Sequence, residues 1–304
     1  MKHEKVSVFE VGARDGLQNE KRLVPLPQKI WFVSQLAKAG IQDLELGAFV
    51  RPDRVPQMAD TEKLYAAIET GKLKLGRTRA WSLVPNLRGL ERAIDAGVKQ
   101  IALFTAASES FNKSNIGMSV AESLREIRDL MPVAKKHRLQ VRGYVSTVFG
   151  CPFEGKVSPK KALGVIERLA DLGVEQVSIG DTIGVATPAG VDQIIKPAMR
   201  LLGQKKVAVH FHDTRGTALA NTLRSLEYGV RTVDSSAGGL GGCPFAPGAK
   251  GNLATEDLVY MLHGMGFRTG IQLDRLAQAS LELAKKMKRS LTSRYLQAYA
   301  SRRK

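Results

Sequence analysis

Two hydrophobic periods alternate along the chain. In "IWFVSQLAKAG", "LERAIDAG", "VIERLADLG" and "LANTLRSLEYG" apolar residues recur every three or four positions, the signature of an amphipathic helix. Each is followed by a short apolar run that ends in polar or small residues: "IQDLELGAF", "VKQIALFTA", "VEQVSIGDT" and "VRTVDSSAGG". Gly40, Gly97, Gly173 and Gly229 stand at the junctions, where a helix C-terminus calls for the left-handed conformation. Extending the pattern predicts strands over Val6–Val11, Asp43–Leu46, Ala80–Val84, Gln100–Phe104, Gln140–Val145, Gln176–Ile179, Val207–His212 and Thr232–Ser235. Strands alternating with helices imply parallel βαβ units, and eight of them in this length fit a closed (β/α)8 TIM barrel.

After Ser236 comes a long Gly-rich eighth loop, and helical segments run from about Thr255 to the end. No linker separates a second domain. Residues 1–304 are therefore expected to form a single domain, with the barrel at about 4–236 and the loop and C-terminal helices at about 237–304. In such barrels the site lies at the C-terminal ends of the strands, which is where polar residues carry information.

Composition narrows the partners. The formal net charge of +17 fits a nucleic acid, a membrane surface or a substrate rich in phosphate and carboxylate. The cations are spread along the chain, with modest clusters at "KLKLGRTR", "AKKHR" and "SRRK", and aromatic residues do not interleave with them as in a nucleic-acid platform. No nucleic-acid partner is expected. Cys151 and Cys243 are too few for a disulfide framework or a thiolate zinc site, which points to a reducing compartment. The N-terminal "MKHEKVSVFEVG" passes directly into strand-like alternation without a secretory or transit pattern, and no apolar run approaches ~20 residues. A soluble, cytoplasmic protein without a membrane partner is expected.

The end of the seventh strand holds the first chemical clue, "VHFHD". Alternate side chains of a strand share a face, so His210 and His212 point one way and Phe211 the other, a spacing suited to a shared metal ion. A buried pair that merely finds hydrogen-bond partners is the plainer alternative. Other strand ends add to it. Arg14, Asp15, Gln18 and Lys21 follow strand one, Glu45 lies in strand two, Tyr144 in strand five, and Asp181 and Thr182 close strand six. Singly, a carboxylate here caps a helix and a Tyr fills the barrel mouth; together they set acids, a guanidinium and two imidazoles on one rim. Two imidazoles with a carboxylate, best supplied by Asp15, make a mixed sphere for Mg, Mn, Co or Zn, open to substrate oxygens.

In the eighth loop, "SSAGGLGGCPFAPGAKGNLATED", glycines surround one thiol, Cys243. Lone cysteines are usually small buried hydrophobes, but over a metal site a thiol is suited to proton transfer. Asn252 at the loop's end offers the metal a neutral oxygen, or else caps the next helix.

Taken together, "EVGARDGLQNEK", "FVRPDRVPQMAD", "VRGYVSTVFGCPFEGKVSP", "SIGDTIGVATP", "VHFHDTRGTALANTL" and "GGLGGCPFAPGAKGNLATEDLVYML" closely resemble the 3-hydroxy-3-methylglutaryl-CoA lyase family, from about Val6 to Leu273. The wider superfamily of metal-dependent barrel lyases and Claisen-type synthases shares the Arg-Asp pair and the His-x-His; the Cys loop is the more specific signature. The resemblance implies cleavage of 3-hydroxy-3-methylglutaryl-CoA to acetyl-CoA and acetoacetate with a divalent cation, Mg or Mn. It implies Asp15, His210, His212 and Asn252 as metal ligands, Arg14 as stabiliser of the enolate oxygen and Cys243 as a proton-transfer group, with His210 and Glu45 also in the catalytic set. Gln18, Tyr144, Asp181 and Thr182 would shape the site, and Lys21 and Asn115 would contact CoA. The chain departs from the family pattern in Phe245 after Cys-Pro and in Phe211 between the histidines.

Two rivals stay open at this stage: a lyase for a longer 3-hydroxy-3-alkylglutaryl-CoA such as isohexenylglutaryl-CoA, or a related Claisen-type synthase; and, remotely, a basic nucleic-acid-binding protein. A homodimer is compatible with the sequence.

Overall fold

The computed structural model describes residues 4–242 and 251–301. Strands β1 (Ser7–Glu10), β2 (Asp43–Ala48), β3 (Arg79–Leu83), β4 (Gln100–Ala106), β5 (Gln140–Ser146), β6 (Gln176–Asp181), β7 (Val207–Phe211) and β8 (Thr232–Ser235) close into a barrel in chain order. All pairs are parallel, including β1 with β8, which seals the sheet. The predicted TIM barrel is the observed one.

Two boundaries differ from expectation in ways that matter for the site. β5 runs on to Ser146 because its pairing with β4 continues to Ala106, so both strands rise further toward the barrel mouth. β7 ends at Phe211, one residue before His212, because there the chain leaves β6 and bridges instead to Asn252. The returning end of the eighth loop thus takes over the hydrogen bonding that the sheet drops: Leu253 N–H donates to Phe211 O at 3.1 Å and Ser236 N–H to Leu253 O at 2.9 Å.

The junction glycines have the left-handed backbone their positions predict. Gly40 is the most constrained, since at its φ of 97° a Cβ would stand 2.3 Å from Gly270 O. A side chain there would force apart the helix end and the segment that packs on it.

Apolar side chains from helices and strands fill the layer between them, with Phe32, Leu36, Leu90, Ile166 and Ile195 fully buried. Inside the barrel the packing is unexpectedly polar. Arg142, 1% exposed, lies 3.7 Å from the Phe9 ring centroid and donates to Asp234 at 2.5 Å. A buried guanidinium is tolerable only when paired, and Asp234 with the aromatic faces of Phe9 and Tyr144 supplies the compensation. Beyond β8, helices Thr255–Gly264, Leu273–Met287 and Arg294–Ser301 complete the described chain. Among the described residues no helix is long and apolar enough to cross a membrane.

Candidate active site

β1 ends in a wide five-residue turn, Gly12–Gly16, in which Gly16 N–H reaches back to Val11 O at 3.1 Å. Such wide turns are frequent at functional sites because they aim consecutive side chains inward. Here they present Arg14 and Asp15. The Arg14 guanidinium bonds Glu45 of β2 through Nε at 2.6 Å and Asp15 Oδ1 at 2.8 Å, and lies 5.8 Å from the Tyr144 ring centroid. Burial alone would pull its pKa down, but the charges of Glu45 and Asp15 outweigh that and hold it above its ordinary value. Arg14 is a fixed cation. Burial in turn pushes the Glu45 carboxyl up against the pull of Arg14.

Asp15, His210 and His212 bring one potential ligand atom each to within 4.8 Å of one another. His210 Nδ1 donates to Asp234 Oδ2 at 3.2 Å, which leaves Nε2 with its lone pair free for a cation. Asp234 is itself pinned by Arg142 and by Ser178 Oγ at 2.8 Å. Asn252 Nδ2 donates to Asp15 Oδ2 at 2.8 Å and to Leu240 O at 3.0 Å, placing its amide beside the triad. Two buried atoms at this point have no hydrogen-bond partner, His212 Nδ1 and Asn252 Oδ1. An unsatisfied buried polar atom costs about 1–3 kcal/mol. Two of them around a carboxylate and a second imidazole are what a cation would satisfy, and the N/O donor set fits a hard or borderline divalent ion.

For His212 and Asp15 the protonation states agree with that fit. Burial, reinforced by the neighbouring His210, pushes His212 down to about 4, so it is a neutral ligand near pH 7. Burial acts against ionised Asp15, yet Arg14 and the two imidazoles outweigh it and hold the carboxyl below its ordinary value. Burial also opposes charge on His210, but the Asp234 bond raises its pKa overall.

A cavity of about 370 Å³ opens over the triad, and Arg14, Gln18, Asn115, Tyr144, Thr182, His210 and His212 are among its lining residues. The other predicted residues sit elsewhere. Asp181 is fully buried and accepts from Val185 N–H at 2.9 Å and Ala186 N–H at 3.0 Å, shaping the loop after β6. Lys21 lines a second hollow that meets the first at Asn19. Cys243 and Phe245 lie outside the described residues.

Three positions around His210 escaped the sequence reading: Asp234, which bonds it, and Ser178 and Arg142, which hold Asp234. Their signal was present as charge inside apolar strands, the Arg of "QVRGYV" and the Asp of "TVDSS". A further pair anchors the eighth loop. Glu10 accepts from Gly12 N–H at 2.7 Å, Ala237 N–H at 2.9 Å and Thr255 Oγ1 at 2.6 Å. Glu256 accepts from Gly238 N–H at 2.7 Å and from Ser280 Oγ.

Burial pushes Glu10 up to about 7 and Glu256 up to about 8, against hydrogen bonds that favour ionisation. The folded protein therefore keeps protons that the unfolded chain has released above the ordinary value of 4.5. Their contribution to stability is complete below that value and is lost as pH rises through the two folded values. Melting temperature should accordingly fall between about pH 5 and pH 9, and Glu10→Gln with Glu256→Gln should flatten that fall. An unchanged slope in the double variant would rule out these carboxyls as its source.

The comparisons with known proteins agree with this geometry. The family model described as HMGL-like matches residues 5–282. The mitochondrial hydroxymethylglutaryl-CoA lyase of Bos taurus is 46% identical over 293 residues, covering 96% of this chain and 89% of that protein. The crystal structure of hydroxymethylglutaryl-CoA lyase from Pseudomonas aeruginosa superposes with a TM-score of 0.94 at 40% identity, over 99% of each chain. An HMG-CoA lyase from Acinetobacter baumannii, in complex with coenzyme A and 3-methylmalate, gives a TM-score of 0.91 at 37% identity over 97% of this chain and 95% of that one. With the match spanning the whole barrel and every residue of the cation triad, the chain belongs to the HMGL-like family.

Proposed function

We propose that the protein cleaves 3-hydroxy-3-methylglutaryl-CoA to acetyl-CoA and acetoacetate, with Mg or Mn as cofactor, in a reducing, cytoplasmic compartment. One observation carries the reading: a cation-competent triad and a buried guanidinium share Asp15 on the wall of a single cavity. A carbon–carbon cleavage of this kind needs both groups. The substrate's tertiary hydroxyl must lose its proton although its pKa lies far above neutrality, and each pKa unit costs about 1.4 kcal/mol.

Asp15, His210, His212 and Asn252 would hold a divalent cation, whose Lewis acidity would lower that pKa. As the hydroxyl passes its proton to Cys243 in its thiolate form, the bond between C2 and C3 breaks, the hydroxyl carbon becomes the ketone of acetoacetate, and the electron pair moves to the thioester as an enolate. Arg14 holds the enolate oxygen. Glu45 and Asp15 keep the guanidinium oriented, and Asp234 keeps His210 from turning away. A proton then returns to the α-carbon to give acetyl-CoA. Cys243 is assigned this transfer, with His210 or Glu45 next in line.

The test is direct. Purified protein with Mg or Mn should convert 3-hydroxy-3-methylglutaryl-CoA to acetyl-CoA and acetoacetate in equal amounts, identified by mass spectrometry, in parallel with longer 3-hydroxy-3-alkylglutaryl-CoA esters. Faster turnover of a longer ester would reassign the substrate, and no cleavage of any would end the reading. Cys243→Ser should fold and bind metal normally but lose about 10²-fold or more in kcat, the range for a general acid-base group. Cys151→Ser is the control: that thiol is buried and accepts from Ser108 Oγ at 2.9 Å, away from the triad. Near-wild-type turnover in Cys243→Ser would move the proton transfer to His210 or Glu45.

A further inference from the structure

Among the described residues three that are not glycine have left-handed backbone: Arg138, Thr147 and Lys288. Arg138 and Lys288 stand just past the helices Val120–Lys136 and Leu273–Met287, where a left-handed residue commonly closes the last turn. Thr147 has no such reason. It follows β5 at a φ of 56°, is fully buried, and carries a β-branched side chain, the kind least at ease in this conformation. A strained residue persists only where its surroundings hold it, and such residues gather at functional sites.

The hydrogen bonds around Thr147 show what holds it. β5 and β6 pair as far as Val145 and Ile179. Beyond them Thr147 N–H donates to Thr182 Oγ1 at 2.7 Å and Val148 N–H to Gly180 O at 3.1 Å, so the chain leaving β5 turns across onto the end of β6. Thr147 Oγ1 donates back to Ser146 O at 2.8 Å, an oxygen that Ala107 N–H also reaches at 2.9 Å from the β4 side. Thr147 is not among the residues that line the cavity over the cation triad, but its neighbours Val145, Ser146, Gly180 and Thr182 are. Its strain is spent one residue away from the substrate wall.

The consequence falls on Thr182. A hydroxyl has one hydrogen to give and two lone pairs to receive with. The Thr147 N–H occupies one lone pair of Thr182 Oγ1, and that oxygen makes no other hydrogen bond with a described residue, so its hydrogen is left for the cavity that Thr182 lines. If Thr147 left the left-handed region, the peptide before it would move relative to the peptide after it, and the bonds to Thr182 and Gly180 could not both be kept. We propose that Thr147 is a positioning residue, whose left-handed turn fixes the Thr182 hydroxyl as a hydrogen-bond donor to an oxygen of the substrate. The proposal rests on the lyase reading above. The competing role for Thr147 is to fill space behind the barrel mouth.

The two roles rank the same variants in opposite order. Valine keeps the shape of threonine but loses the bond to Ser146 O and resists the left-handed region, whereas glycine leaves a gap but enters that region freely. Thr147→Val should therefore raise KM for 3-hydroxy-3-methylglutaryl-CoA about tenfold, the loss of one hydrogen bond to the substrate, with a much smaller change in kcat. Thr147→Gly should recover most of that loss. Thr182→Val should match Thr147→Val, and the double variant should be no worse than either, because both act through one hydroxyl. A glycine variant worse than the valine one would overturn the proposal, as would effects at Thr147 and Thr182 that add. Should Thr147→Val fail to fold, Thr147→Ala takes its place, since it keeps the Cβ that glycine lacks. If the wild type cleaves no ester, the lyase reading fails by itself, and calorimetric binding of 3-hydroxy-3-methylglutarate to the Mn-loaded protein still decides the role of Thr147: weaker binding in both Thr147→Val and Thr182→Val sustains it, and equal affinity in all three proteins refutes it.

Discussion

Dialysis against EDTA should abolish cleavage, and Mg or Mn should restore it. The reason lies in Asp15, His210, His212 and Asn252, which form an incomplete sphere: one ionised carboxylate, one imidazole turned by Asp234, one imidazole kept neutral by burial, and an amide oxygen without a partner. His212 Nδ1 and Asn252 Oδ1 are buried beside this cluster without a hydrogen-bond partner, the kind of cost a bound divalent ion would relieve. Binding should therefore show without any substrate present. At a hundredfold excess over Kd the cation should stabilise the fold by about 2.7 kcal/mol, read as a rise in melting temperature. His212→Ala should weaken Mn affinity in calorimetry, and Asp234→Asn should do so through His210 although Asp234 is not itself one of the triad. Full turnover in protein shown to be metal-free would eliminate the assignment.

Much of this arrangement was legible in the chain before any coordinates. The eight βα units could be read because helix and strand periods differ and because Gly40, Gly97, Gly173 and Gly229 punctuate them, each with φ between 77° and 97°. The position of His210 and His212 followed from the same strand period. What stayed hidden was partnership between distant elements. Arg142 and Asp234 are 92 residues apart and become one buried ion pair only when β5 and β8 face each other across the barrel. Glu10 and Thr255, 245 residues apart, meet only because the eighth loop folds back over β1. Strand ends were blurred for a related reason. His212 continues the apolar–polar alternation of β7, yet its backbone pairs with Asn252, a choice made by the returning loop and not by local propensity.

Arg14→Gln should lower kcat by about 10³-fold or more while KM changes little. Losing one oxyanion-stabilising donor costs about 10²–10³ in kcat, and in the proposed mechanism Arg14 would bring a full charge with several donors to the developing enolate oxygen. The expected loss exceeds a simple donor deletion for a second reason visible in the packing. Glu45 is fully buried and has one of its oxygens bonded only to Arg14, while its other oxygen has no partner. Removing the guanidinium would strand that carboxylate, which would take up a proton or turn toward the triad and disturb Asp15. The double variant Arg14→Gln with Glu45→Gln separates the two effects: it should recover thermal stability lost in the single variant but not kcat. Arg14→Lys should rescue only in part, because an ammonium cannot span Glu45, Asp15 and a substrate oxygen with a planar fork of donors. An effect acting in the transition state lowers kcat and kcat/KM together. Should Arg14→Gln instead raise KM steeply at unchanged kcat, the guanidinium would be anchoring the ground-state substrate, and the enolate oxygen would need another stabilising group.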